Sequence, residues 1–334
     1  MNEAGIIKNK NELATGDLRR KAVDIIEAGI QRVLPNTILP DCLSFDSKTR
    51  ILSVCHRSHQ IKGRLFVIGG GKASGQMAQT LENLIGIDAI ESGIVVEKAP
   101  PAEFKTAKIQ IVRAGHPLPD WRGVEAVNDI LQLKKKYAIG KDDFVLCLIS
   151  GGGSALMPSP VDGLSLDDKQ SVTRFLISCG ADISEINTVR KHLSKVKGGR
   201  LAQYFAPARV LSLILSDVVG NDLSIIASGP TYPDPSTYLD AYAVLENYGL
   251  LKRVPESVIT VLVRGCGGEI EETSKSLHNV CNYIIGDNRM ALEAMAGKAR
   301  QLGLDPHIIT AEQVGDTETV ARQRAKEKVS EEEV

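Results

Sequence analysis

No stretch of the 334-residue sequence approaches eighteen consecutive apolar residues, so no segment reads as a transmembrane helix. The opening MNEAGIIKNKNELATGDLRRKA is charged and has no signal-peptide core. There is no basic block either. The sequence has 40 Lys and Arg against 41 Asp and Glu, a formal net charge of −1, which argues against a nucleic-acid or membrane-surface role. The six cysteines, at 42, 55, 147, 179, 266 and 281, form no C-x-x-C pair. Several lie in strand-like apolar runs, so they read as reduced and buried rather than as a disulfide framework or zinc site. These absences predict a soluble cytoplasmic protein.

Three catalytic signatures are also missing. A Walker A loop would need glycine where Phe66 stands and Ser or Thr where Ala73 stands; a dinucleotide fingerprint starting at Gly69 would need glycine at Ser74. A nucleophile elbow at Ser154 fails because Leu156 replaces its last glycine, and at Ser150 because Leu148 replaces its first. With no elbow and no HGGG-type oxyanion hole, a serine hydrolase is disfavoured. A nicotinamide enzyme is disfavoured for want of its fingerprint.

What is present is an apolar content of 43%, enough for a sizeable core, on a length that allows two domains. Helical spacing runs over 17–34 and stops at Pro35. Strand-like runs at 65–68, 93–96, 109–113, 144–149 and 210–215 alternate with helical stretches at 73–84, 121–137, 166–179 and 183–193. Non-alternating strands joined by helices predict a mostly parallel, Rossmann-like sheet in a three-layer α/β/α sandwich. That unit is assigned to residues 1–270. A smaller α/β unit is assigned to 271–334, with strands at 280–285 and 307–310 and helices at 287–302 and 317–328. It ends in the polar KEKVSEEEV and looks incomplete.

Ligands of such a sheet bind beyond the carboxyl ends of the strands, and the loops there are unusual. GGGKASGQMA (69–78) brings Gly70 and Gly71 beside Lys72 at a helix start, a place for an anion. AGHPLPD (114–120) holds His116 between a strand and a capping Asp120, which suits either a site or a plain connection. SGGGSA (150–155) offers Ser150, Gly151, Gly152, Gly153 and Ser154, whose amides and hydroxyls fit a phosphate chain. In INTVRKHLSKVKGGRLA (186–202), Asn187, Arg190 and Lys191 share a helix face, with Lys197 and Arg200 around a Gly pair. A solvated basic face would explain these residues, and so would contact with a polyanion. LSDVVGND (215–222) places Asp217 and Asp222 at a strand end, hard oxygen ligands that suit Mg²⁺ beside phosphates; Ser228–Thr231 add a further loop with hydroxyls. Phosphoryl transfer needs this inventory, because its catalysis is mostly positioning and charge neutralisation.

In the order VIGGGKAS, AGHPLPD, LISGGGSAL, INTVRKHLSKVKGGRLA, SDVVGND and IASGPTYPDP, these motifs resemble those of the class II glycerate kinases, the MOFRL-associated glycerate 2-kinases, over residues 18–325. The resemblance implies ATP- and Mg²⁺-dependent phosphorylation of D-glycerate at its 2-hydroxyl, in a cleft between a larger and a smaller α/β domain. By motif, Lys72 matches the family's catalytic lysine. His116, Arg190 and Lys197 are then candidates for holding the substrate. ATP and D-glycerate are the expected partners, with a homodimer left open. The chain departs from the family at its end. The GGET-, GRGGRNQE- and GPTGTN-like motifs are absent, and Asn221 stands where many relatives have Asp. A chain ending before those motifs is expected to be slow or inactive alone, which leaves a phosphometabolite-binding remnant as an alternative, beside hydroxypyruvate reductase.

Overall fold

The computed structural model describes residues 6–98 and 104–331 and, for 327–331, the backbone alone. After a single helical turn at Lys10–Leu13 come two helices, α1 (Asp17–Arg32) and α2 (Pro35–Cys42). Pro35 both ends the first helical run and opens the second. In the first turn its missing N–H has no helical partner to lose, and its φ is already helical. Three short strands, β1 (Leu43–Asp46), β2 (Ile51–Val54) and β3 (Arg57–Gln60), form an antiparallel meander that the sequence reading did not identify.

The main unit follows: β4 (Leu65–Gly70), α3 (Ser74–Ile85), β5 (Ser92–Lys98), β6 (Ile109–Ala114), α4 (Trp121–Lys136), β7 (Phe144–Ser150), α5 (Leu166–Ser178), α6 (Ile183–His192), β8 (Arg209–Leu215), α7 (Tyr238–Asn247), α8 (Glu256–Cys266), β9 (Val280–Gly286), α9 (Asn288–Gln301) and α10 (Thr317–Glu331). Shorter helical turns, among them Gly153–Leu156 and Arg200–Phe205, lie between them. Six strands make one wholly parallel sheet in the order β6-β5-β4-β7-β8-β9. Every residue of β4 and β7 is buried, as expected of central strands covered on both faces.

Alternate residues feed two cores. Phe66, Ile68, Val145 and Cys147 pack with Val127, Ile130 and Phe205 on one face; Leu65, Val67, Leu146 and Leu148 pack with Met77, Leu81 and Leu39 on the other. The three-layer α/β/α sandwich is therefore present. A third cluster, built by Val172, Leu176, Val189, Leu245 and Leu262, ties α5, α6, α7 and α8 into a helical lobe beside the sheet.

The region after 270 differs from the sequence reading in two ways. Residues 280–286 do form a strand, but it pairs along β8 and extends the main sheet. Residues 307–310, expected as a strand, run through irregular backbone with Ile308 and Ile309 exposed; they pair with no strand edge, and an unpaired strand has little to hold it. Helix α9 returns to pack on α1, where Gly29 leaves room for Met295. All six cysteines are free. Cys147 is buried, but Cys266, at the outer end of α8, is exposed, against the expectation of burial. Among the described residues no helix is long and apolar enough to cross a membrane.

Candidate active site at the switch point

The strand order reverses between β4 and β7, and this is where a doubly wound sheet opens a crevice at its carboxyl end. Both glycine loops leave from it, 69–73 after β4 and 150–154 after β7. Their roles differ. In the first loop the amides are spent internally: Gly71 donates to the Val96 carbonyl (3.0 Å), Lys72 to the Gly151 carbonyl (2.9 Å) and Ala73 to Ser150 Oγ (3.0 Å). Gly70 lies inside β4, paired on both sides. Gly70 and Gly71, expected to hold phosphate, thus serve the close approach of two loops, and Ser150 ties them together. In the second loop the amides of Gly151, Gly152, Gly153 and Ser154 have no acceptor among the described residues. This loop is the open amide nest.

Two of its glycines are required by what stands over them. A Cβ on Gly151 would lie 1.9 Å from Asp217 Oδ2, and one on Gly152 would lie 2.9 Å from the His116 ring and 3.1 Å from Lys72 Cγ. Gly152 also has φ 84°, a conformation that favours glycine. Lys72, Asp217 and His116 therefore converge on one short piece of backbone. Lys72 Nζ lies 3.8 Å from Asp217 Oδ2, both side chains about half exposed (47% and 53%). Such a pair adds little stability, so the ammonium is available to a ligand. His116 is held below the usual imidazole range, first by burial and then by the positive charges of Lys72 and Lys98; its Nδ1 has no partner among the described residues.

A cavity of about 570 Å³ opens over this end of the sheet, lined by Lys72, Ser150, Gly151, Asp217, Asn221 and Asp287 among others. Asp222 is not among its lining residues. Its carboxylate accepts from the Ser224 amide (2.8 Å) and serves the turn. Asp287, which the sequence reading passed over, takes its place. It caps α9 by accepting from the Met290 amide (2.9 Å), and its other oxygen accepts from Asn221 Nδ2 (2.7 Å). A Gly-Asp pair between strand and helix was the signal for it. No cluster of three or more His, Cys, Asp or Glu with metal-binding geometry occurs among the described residues.

A second cavity, about 380 Å³, lies on the other side of the 150–154 loop, with His116, Gly152 and Ser154 along that wall. Arg190 and Lys197 reach it, but their expected companions do not. Asn187 accepts from Ser228 Oγ (2.9 Å), and Lys191 pairs with buried Asp234 (3.2 Å). Arg200 is used structurally, on the Ser194 carbonyl and the Tyr238 hydroxyl. Lys197 Nζ donates to the Ser154 carbonyl (2.9 Å), and Ser154 Oγ meets Ser228 Oγ (2.9 Å), so Ser154 also braces the loop. Ala227 and Ser228, both at positive φ, form a buried turn beneath it. The cavity also holds Lys169, which no motif marks. Its signal was its place on the apolar face of α5, three and seven residues before Val172 and Leu176.

Comparison with known proteins follows this geometry. The profile of one family, described as "Domain of unknown function (DUF4147)", matches residues 21–263, well over half of the chain. The chain belongs to this family. The DUF4147 match contains both glycine loops, Asp217 and the helical lobe up to residue 263 in α8. A Pyrococcus horikoshii protein named "Glycerate 2-kinase" is 42% identical over 261 residues, covering 78% of this chain and 58% of its own length. An Agrobacterium vitis protein named "Putative hydroxypyruvate reductase" is 38% identical over 318 residues, covering 91% of this chain and 69% of that protein. The crystal structure of a Thermotoga maritima glycerate kinase superposes with a TM-score of 0.74 at 36% identity, covering 87% of this chain and 64% of that one. The chain thus spans less than two thirds of the length of the Pyrococcus relative.

Proposed function

We propose that the chain is the catalytic part of a kinase that transfers a phosphoryl group from ATP to the 2-hydroxyl of D-glycerate with Mg²⁺. The observation that carries this reading is the convergence, at the β4/β7 switch point, of an open amide nest, a half-exposed ammonium and a carboxylate. Phosphoryl transfer asks for charge neutralisation and alignment, and these groups supply both. The amides of residues 151–154 hold ATP phosphates. Lys72 neutralises the transferring phosphoryl or the attacking oxygen, and Arg190, Lys197 and His116 hold the acceptor across the loop. The oxygens of Asp217 and Asp287 suit Mg²⁺, which binds one or two carboxylates together with phosphate oxygens; Asp222 is too occupied in its turn to be the first choice. When bound, that ion supplies neutralisation of phosphate charge. The names of the Pyrococcus and Thermotoga relatives support the choice of glycerate.

The name of the Agrobacterium relative motivates a second reading, reduction of hydroxypyruvate. Against it stands the first loop, whose amides are consumed internally and whose third fingerprint position is Ser74. Two assays on the same preparation separate the readings: ADP formation with ATP, Mg²⁺ and D-glycerate, and NADH oxidation with hydroxypyruvate. ADP formation dependent on D-glycerate is the expected result. NADH oxidation without it would overturn the proposal.

A further inference from the structure

We propose that the cavity between α5 and the 150–154 loop is a built subsite for a small carboxylate anion, and that Lys169 is its central cation. The inference rests on the kinase reading only in naming D-glycerate as the ligand to try first.

The case begins with charge. Lys169, Lys197, Arg190 and Arg174 line the cavity, and among the described residues no Asp or Glu does. Lys169 is 8% exposed and its Nζ meets no hydrogen-bond partner among the described residues; Lys197 is 2% exposed and spends one N–H on the Ser154 carbonyl. Half-buried Arg190 makes no hydrogen bond or ion pair among the described residues. The nearby acids are committed elsewhere: Asp168 to capping α5, Asp234 to Lys191, Glu272 to Lys275. A buried cation without a counter-ion is costly, and the cost is removed by losing the proton or by gaining an anion. His116 lines the same cavity, its Nδ1 without a partner among the described residues and its Nε2 edge turned to Gly152. Buried Pro158 and half-buried Leu166 supply apolar wall, which strengthens the attraction; Ile177, also lining the cavity, is exposed. A carboxylate needs two or three donors, which Lys169 and Arg190 provide. The open amide nest shares Gly152 and Ser154 with this cavity, while its Gly151 faces the larger cavity that holds Lys72 and Asp217.

The same charges make binding proton-linked. Burial first, then Arg190 and Arg200, push the Lys169 amine down to about 7. Among the described residues, every charged or titratable group that faces it is basic: Arg190 on α6, Lys197 and Arg200 after it, His116 from the loop before α4, and Arg174 on its own helix. An anion restores the proton, so binding takes up a proton near neutral pH. Affinity then falls as pH rises above about 7.

The test is calorimetric titration of D-glycerate, of acetate and of inorganic phosphate into the protein and into Lys169→Met, in two buffers of different ionisation enthalpy, with thermal melts of each. The expected results are carboxylate binding with proton uptake in the wild type and a Kd weaker by roughly ten- to a hundred-fold in the variant. The variant should lose the uptake and melt no lower when free of ligand. Lys169→Arg guards against misfolding of the first variant; it should keep binding without proton uptake, because guanidinium does not titrate there. Equal affinity in Lys169→Met, no carboxylate binding, or tighter binding of inorganic phosphate would each overturn the subsite. ADP formation distinguishes the two proposals. Carboxylate binding lost in Lys169→Met but without ADP formation keeps the subsite and sinks the kinase. ADP formation with an unchanged KM in Lys169→Met does the reverse.

Discussion

Lys72 and Asp217 stand half exposed over Gly151 and Gly152, and the chemistry depends on what those four residues can reach. Removing one preorganised cation or donor from a developing charge typically costs roughly 10²–10³-fold in rate. Lys72→Ala is expected to lower kcat by that order with little change in melting temperature, measured by ADP release and thermal unfolding. Gly151→Ala tests the backbone approach. Its new Cβ would overlap Asp217 Oδ2, so the carboxylate or the loop must move. Overpacking of this kind costs about 1–3 kcal/mol where relief is poor. Because Asp217 is half exposed, the expected loss is mainly of nucleotide affinity, seen in an ATP titration, rather than of stability. What made these residues readable in sequence is that they are local: a strand end, glycines, a lysine and a helix start lie within ten positions. Lys169 and Asp287 were not readable in that way. The character of Lys169 comes from the absence of an acid among the described residues that line the cavity, which no stretch of α5 states.

At the scale of elements, α5 carries the second cavity and its start is a capping box, with Ser165 accepting from the Asp168 amide and Asp168 accepting in return. Ser165→Ala is expected to destabilise the protein by ~1 kcal/mol, read from a denaturant midpoint at unchanged slope. The helix also sets a pH dependence. The folded Lys169 amine sits near 7, whereas in the unfolded chain it titrates near 10.4. Between these values the unfolded chain binds the extra proton, so stability of the ligand-free protein rises with pH from about 7 toward 10. Melting temperatures across that range should show the rise in the wild type and a smaller one in Lys169→Met. The strands and helices of the main sheet were legible because their periodicity is strong, as in the wholly apolar 144–149. The meander at 43–60 was not. Its strands are four residues long and half buried, too short for alternation to stand out.

For the whole molecule, the sheet order places both glycine loops at one crevice, and no single motif could have shown that. The sequence reading placed a division at residue 270. The hydrogen bonds of β9 to β8, and the packing of α9 on α1, argue that residues after 270 complete the sheet. A chain stopped at 270 would leave Val210, Leu211 and Leu213 on a bare edge, a template for association. It is expected to aggregate or lose cooperative unfolding; a monomeric, cooperatively folded 1–270 would restore the division at 270. The central claim concerns the crevice itself and is tested most directly by ADP release from ATP and Mg²⁺, with and without D-glycerate, in the wild type and in Lys72→Ala. Release that depends on D-glycerate and drops by two to three orders of magnitude in the variant, roughly the effect of one lost charge-stabilising group, is the predicted result. Release indifferent to D-glycerate, or unchanged in Lys72→Ala, would contradict it.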